Sequence, residues 1–139
     1  MHILAALIIT ACLGAADAVD SFGIPDWILP SILAVETSSY YNSDGTITYV
    51  DRRTGSAGEL SCFQITRNAF DTVAHKGESF RRMATDTQYA ELLASRYLWW
   101  IYEHTAGRNW DRAVMQYNCG PHINRAGRRY LAKCKALWK

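Results

Sequence analysis

Residues 19–139 lack any internal repeat, low-complexity tract or linker that would divide them. The chain of 139 residues therefore has room for one domain around one core. It also lacks C-x-x-C and H-x-x-x-H spacings, so Cys62, Cys119 and Cys134 with His75, His104 and His122 make no zinc framework. Neither a metal nor an organic cofactor is expected. No basic stripe interleaved with aromatics and no nucleic-acid motif occurs, which removes nucleic acid as a partner class. Six bases, Arg125, Arg128, Arg129, Lys133, Lys135 and Lys139, do crowd the last fifteen residues, and they read as the solvated face of a terminal helix. Strand-forming sequence is scarce as well, confined to "TITYV" at 46–50.

Long apolar runs are few. The one at the start, Ile3 to Leu13, is short for a membrane span and is followed by Ala16-Asp17-Ala18, an A-x-A pattern. Residues 1–18 read as a secretory signal peptide cut after Ala18, leaving residues 19–139 as the domain and a secreted or periplasmic location. Its n-region carries no Lys or Arg. "ITAC" at 9–12 has the form of a bacterial lipobox, and acylation of Cys12 would tether the protein to a membrane. Cleavage takes away Asp17 and no base, raising the formal charge from +2 to +3. Three cysteines remain, of which any two can bridge in an oxidising compartment.

What is present is an ordinary hydrophobic fraction, 49%, which argues against disorder, and a high aromatic content with five Trp and eight Tyr. Such rings fill small cores and also line clefts that hold sugars, peptides or bases. Pro30 suits a first helical turn, and Ile32, Leu33 and Val35 continue a buried helix whose last turns reach Glu36. "SDG" marks a turn before the strand at 46–50, and "DRRTGSAGE" is expected to return as the second arm of a short, irregular hairpin. Ile65, Ala69, Phe70, Val73 and Ala74 recur at helical spacing, with Gly77 to close that helix. Thr85 with Gln88 forms a capping-box pattern for a long helix carrying Tyr89, Leu93, Tyr97 and Ile101 on one stripe, ended by Gly107. Asn109 caps "WDRAVMQYN", which stops at Gly120-Pro121. A last helix runs from about Asn124 to Leu137 with Tyr130, Leu131 and Cys134 inward. The fold class is α+β, mainly helical, with one hairpin inserted after the first helix.

Three stretches put polar residues beside tight backbone or buried apolar sequence: "VETSSYYN", "SAGELSCFQI" and "AVMQYNCGP". Glu36 closes an apolar helix, where desolvation makes a charge expensive and raises a carboxyl pKa. Gln64 lies between Phe63 and Ile65, where an amide needs a partner. Tyr117 and Asn118 occupy the last turn of a helix. In this order the residues Glu36-Thr37, Ser56, Gly58-Glu59, Ser61-Cys62-Phe63-Gln64-Ile65 and Gln116-Tyr117-Asn118-Cys119-Gly120-Pro121 resemble the pattern of the soluble type of lytic transglycosylase, in the lysozyme-like superfamily. "ASRYLWWIYEHTAGRNWDRAV" is similar to the connecting helix of that family. Thr37 stands where the pattern has Ser, Glu59 where it has Ala, Ser61 where it has Gly, and Cys119 where it has Ala.

The resemblance implies a lysozyme-like fold and cleavage of the β-1,4 bond between N-acetylmuramic acid and N-acetylglucosamine, with peptidoglycan glycan strands as partner and a monomer as the working form. Glu36 would be general acid and then base, closing the muramyl 6-hydroxyl onto C1 to leave a 1,6-anhydro sugar. Ser56, Gln64 and Tyr117 would contact substrate or orient Glu36, and Asn118 would anchor it by hydrogen bonding. Asp51 and Glu59 are candidates for a second acid; at about 6.5 to 9.5 Å from Glu36 either would make an inverting muramidase or chitinase-like hydrolase. Asp44, before Gly45, reads as a turn residue. A thiol amidase using Cys62 with His104 or His122 is a rival chemistry, and a non-catalytic cell-wall-binding module is a further alternative.

Overall fold

The computed structural model describes residues 22–138. The leader expected at residues 1–18, with Cys12, lies outside them. Five α-helices and one two-stranded antiparallel sheet make up the described chain, the mainly helical α+β class that the sequence implies.

Helix α1 spans Ile28–Thr37, with Pro30 in its first turn. Trp27 precedes it without a side-chain cap, so the helix forgoes the ~1 kcal/mol that a capping residue supplies. Its buried Ile28, Leu29, Ile32 and Leu33 contribute about 1.5–3 kcal/mol each, and this burial decides the helix. Ser38 ends it at φ 54°, its N–H on the Ala34 carbonyl.

The hairpin differs from the expected one. Strand β2 is Ile47–Thr48, inside the expected 46–50, but its partner β1 is Tyr40–Tyr41, upstream; Tyr40 faces Thr48 and Tyr41 faces Ile47. The Asp44 carboxylate explains this. It accepts from the Thr46 N–H at 3.0 Å and the Thr46 hydroxyl at 2.6 Å, while Asn42 N–H donates to the Thr46 carbonyl at 2.7 Å. This Asx turn reverses the chain directly after Tyr41. Residues 51–59 fold on themselves instead, with Gly55 N–H on the Glu59 carbonyl and Gly58 N–H on that of Gly55, both at 2.9 Å.

Helix α2, Arg67–Val73, is capped by Thr66, which accepts from Ala69 N–H at 3.0 Å. Ile65 therefore lies ahead of the helix, paired with Leu60, and Ala74 rather than Gly77 closes it. A single 3-10 turn at Arg81–Ala84 leads into α3, Thr87–His104. Its cap is Asp86, one residue past the expected Thr85: the Asp86 carboxylate takes Tyr89 N–H at 3.0 Å, and Thr85 belongs to the end of the preceding turn. The expected stripe of α3 faces inward, with Tyr89, Leu93 and Ile101 buried and Tyr97 half-buried. Helices α4, Trp110–Cys119, and α5, Arg125–Leu137, start at Asn109 and Asn124, whose side chains accept from Arg112 and Gly127 N–H.

One core gathers α1, the 62–65 segment, α2, α3, Val114, Tyr130 and Cys134. Helix α5 packs on both α4 and α1, bringing Tyr130 under the end of the first helix. The close approach of α4 and α5 needs Gly127, because a β-carbon there would meet Cys119 Sγ at 2.6 Å and the Met115 carbonyl at 3.1 Å. Cys62, Cys119 and Cys134 are all free thiols, so no pair among them is bridged.

Candidate active site

Glu36 occupies the last turn of α1, and the residue after it fixes that turn to the neighbouring loops. The buried Thr37 hydroxyl donates to the Cys62 carbonyl at 2.9 Å and shares a 2.7 Å hydrogen bond with Ser39. Ser39 Oγ in turn accepts from Val50 N–H at 3.0 Å. Thr37 thus ties the end of α1 to the neighbouring loops through its hydroxyl, with its methyl buried beside it.

The segment from Leu60 to Ile65 is a tight turn closed by two backbone hydrogen bonds between those residues, at 3.0 and 2.8 Å. Ser61 and Gln64 both take left-handed conformations within it, at φ 78° and 49°. The Ser61 hydroxyl offsets part of that strain by accepting from Phe63 N–H at 3.1 Å. Gln64 has the partners its amide requires: Nε2 donates to the carbonyls of Ser61 at 2.9 Å and Arg53 at 3.2 Å. Tyr117 clamps the turn from α4, its hydroxyl donating to the Phe63 carbonyl at 2.6 Å while its ring packs 5.7 Å from that of Tyr97.

Above this turn opens a cleft of about 400 Å³ lined by Glu36, Arg53, Thr54, Gly55, Ser56, Glu59, Gln64, Thr66, Tyr117 and Asn118. Ser56 and Asn118 are exposed along it. The Glu59 carboxylate folds back over Gly55 and accepts from Ala57 N–H at 3.0 Å. A β-carbon at Gly55 would collide with Glu59 and approach Gln64 Oε1, so the bare backbone is a condition of this packing. Arg53 reaches across, its guanidinium donating to the Glu36 carbonyl at 2.8 Å and lying 3.3 Å from Asp51.

Burial raises the pKa of Glu36 above the usual glutamate value, and the Glu59 carboxylate adds to the rise; the Tyr130 hydroxyl and the Arg53 charge oppose it. Tyr130 is itself buried, and its hydroxyl has no well-formed hydrogen bond. The Glu36 carboxyl is its hydrogen-bonding neighbour, outside the geometry of a closed bond. Desolvation, helped by the charge of Glu36, holds both Tyr117 and Tyr130 in their neutral phenol forms.

Of the residues singled out in the sequence, Glu36, Ser56, Glu59, Gln64, Tyr117 and Asn118 come together at one cleft. Asp51 is not among the lining residues and is turned to Arg53. Cys62 is fully buried and its thiol is pushed up to about 12, the reverse of what a nucleophilic thiolate needs. His104 packs its ring 5.0 Å from Trp100, and His122 is exposed. Gln116, inside the Tyr117 motif, is a structural amide: it binds the Thr105 hydroxyl and carbonyl and the Pro121 carbonyl. Arg53, in the cleft lining, and Tyr130, beneath Glu36 and outside that lining, act on the Glu36 carboxyl without a signal in the sequence; the inward position of Tyr130 on the last helix is legible there, but not what it meets.

A family model described as the Transglycosylase SLT domain matches residues 31–137. No curated protein and no solved structure matches the chain.

Proposed function

The chain belongs to the transglycosylase SLT domain family, and from that premise we propose that it is a lytic transglycosylase in which Glu36 alone supplies the acid and the base. The family carries a lysozyme-like fold and action on peptidoglycan. The observation that bears the finer reading is one carboxyl with a raised pKa, half-buried at a helix end in a cleft shared with Ser56, Gln64, Tyr117 and Asn118.

A carboxyl that keeps its proton at working pH can hand it to the oxygen of the β-1,4 bond between N-acetylmuramic acid and N-acetylglucosamine. Once ionised, the same group takes the proton of the muramyl 6-hydroxyl as that oxygen closes onto C1. The bond to the leaving sugar breaks, a 1,6-anhydro ring forms, and no water is consumed. Gln64, held by two backbone carbonyls, and the exposed Ser56 and Asn118 serve as hydrogen-bonding contacts to the glycan. Tyr117, its hydroxyl committed to Phe63, acts by holding the Gln64 turn in place. Such work belongs outside the cytoplasmic membrane, in keeping with the export signal proposed for residues 1–18. No helix among the described residues is long and apolar enough to cross a membrane.

A second reading is kept because Glu59 lines the same cleft and its charge acts on Glu36. As a base on the opposite face of the sugar it would activate water and invert the anomeric centre. Mass spectrometry of digested peptidoglycan separates the readings: anhydro-muramyl ends are expected, reducing ends would assign a hydrolase, and binding without release of fragments would leave a wall-binding module.

A further inference from the structure

We propose that the outward face of α5 is a docking surface for an anionic lipid bilayer. Arg125, Arg129 and Lys133 follow one another at four-residue intervals, with Arg128 beside them, on the side of α5 opposite its buried Gly127, Tyr130 and Cys134. All four bases are exposed, and among the described residues none has a carboxylate partner. The sequence holds no Asp or Glu after Asp111, and Asp111 is taken by Lys135 at 2.7 Å. Among the described residues the four exposed charges are therefore uncompensated, on a helix anchored in the core by Tyr130 and Cys134.

Charge alone suits any polyanion. The end of the same helix adds what a soluble polymer would leave unused: Leu137 and Trp138, 57% and 53% exposed, project beyond the last core contact, Cys134. An indole and an aliphatic chain at the tip of a basic helix match a bilayer interface, where guanidinium and ammonium groups meet anionic headgroups and the apolar pair enters the boundary of the acyl chains. The cleft lies elsewhere, since no residue of α5 lines it. Docked in this way, the protein would work on wall close to the membrane surface. The inference does not depend on Glu36 being catalytic.

The test is sedimentation of the full chain with vesicles of phosphatidylcholine, alone or mixed with phosphatidylglycerol. Binding to the neutral vesicles measures whatever residues 1–21 contribute, and the increment on the anionic vesicles measures the face. That increment should fall at least about tenfold in an Arg125→Gln, Arg128→Gln, Arg129→Gln, Lys133→Gln variant, and fall with added salt. Leu137→Ser with Trp138→Ser should weaken it severalfold with the charges intact. Circular dichroism and fragment release from lipid-free wall sacculi check that each variant is folded. An undiminished increment in the folded four-site variant overturns the proposal. So does vesicle binding that ignores the Leu137 and Trp138 changes and is displaced by polyphosphate, which would assign the face to a phosphate polymer.

Discussion

The Tyr130 hydroxyl, on α5, lies against the Glu36 carboxyl, on α1, and has no other partner among the described residues. It opposes the effect of burial on Glu36 without cancelling it, so the carboxyl remains raised. Arg53 acts in the same direction as Tyr130, and Glu59 in the other. The protonation of the site is thus set by three side chains from two parts of the chain, α5 and the 51–59 segment, and each can be changed alone.

Glu36→Gln should lower glycan cleavage by about 10²–10⁴-fold while leaving binding to insoluble peptidoglycan in place. Its stability should also report the raised pKa. The folded protein keeps a proton that the unfolded chain gives up at lower pH, so the contribution of Glu36 is full below the unfolded value and is lost as pH rises through the folded one. The variant should therefore melt higher than the parent at neutral pH, and the gap should close below the ordinary glutamate range. Equal pH dependence of melting in both proteins would show that Glu36 is not perturbed.

Tyr130→Phe keeps the ring and removes the hydroxyl. The alkaline limb of the rate profile should move to higher pH, because a group that favours the Glu36 anion is gone. Stability should hold or rise by about 1 kcal/mol, since a buried hydroxyl without a good partner is removed. A profile that stays put would make Tyr130 a packing residue only.

Glu59→Gln removes a like charge, so the alkaline limb should move the opposite way, to lower pH, with anhydro products retained. Loss of turnover by about 10²-fold or more, in a protein whose parent yields reducing ends, would instead make Glu59 the base of a hydrolase.

At the Gln64 turn, Ser61→Gly should relieve the strain of a left-handed serine at φ 78° and give up one hydrogen bond to Phe63 N–H. Strain of about 1–2 kcal/mol against a bond of about 1 kcal/mol predicts a small net gain in denaturant midpoint, whereas Ser61→Ala keeps the strain and should lose about 1 kcal/mol. Gly55→Ala should cost more activity than stability, because the added methyl drives Glu59 and Gln64 from their places in the cleft.

Iodoacetamide should leave turnover intact. Cys62 is buried with its thiol pushed up to about 12, so rapid inactivation traced to that residue by peptide mapping would revive a thiol mechanism.

The helices were legible wherever a run of apolar residues at helical spacing met a capping side chain, as at Asn109 and Asn124. The Asp86 cap was misplaced by one residue because Thr85 and Asp86 are both good caps, and only the hydrogen bond to Tyr89 N–H chooses between them. The partner of β2 was misread because a two-residue strand has too little alternation to declare itself, while the Asx turn at Asp44 acts through geometry. Glu36, Gln64 and Tyr117 stood out in sequence because each sets a polar group in apolar or tightly turned surroundings. Arg53 and Tyr130 carried no such mark.

By itself the sequence determined a mainly helical fold, a carboxyl at the end of an apolar helix, and a glutamine amide between two apolar residues that needs a partner, since these follow from periodicity, capping and polarity over a few neighbouring residues. Which groups face Glu36, that the left-handed turn at Ser61 and Gln64 sits beneath the cleft, that Asp51 pairs with Arg53 without lining the cleft, and that four bases of α5 have no carboxylate partner among the described residues were decided only by the packing of α5 against α1 and of the 51–65 segment against the end of α1. The electrostatic environment of a buried group depends on distances between residues remote in the chain, and those distances exist only once the core has closed.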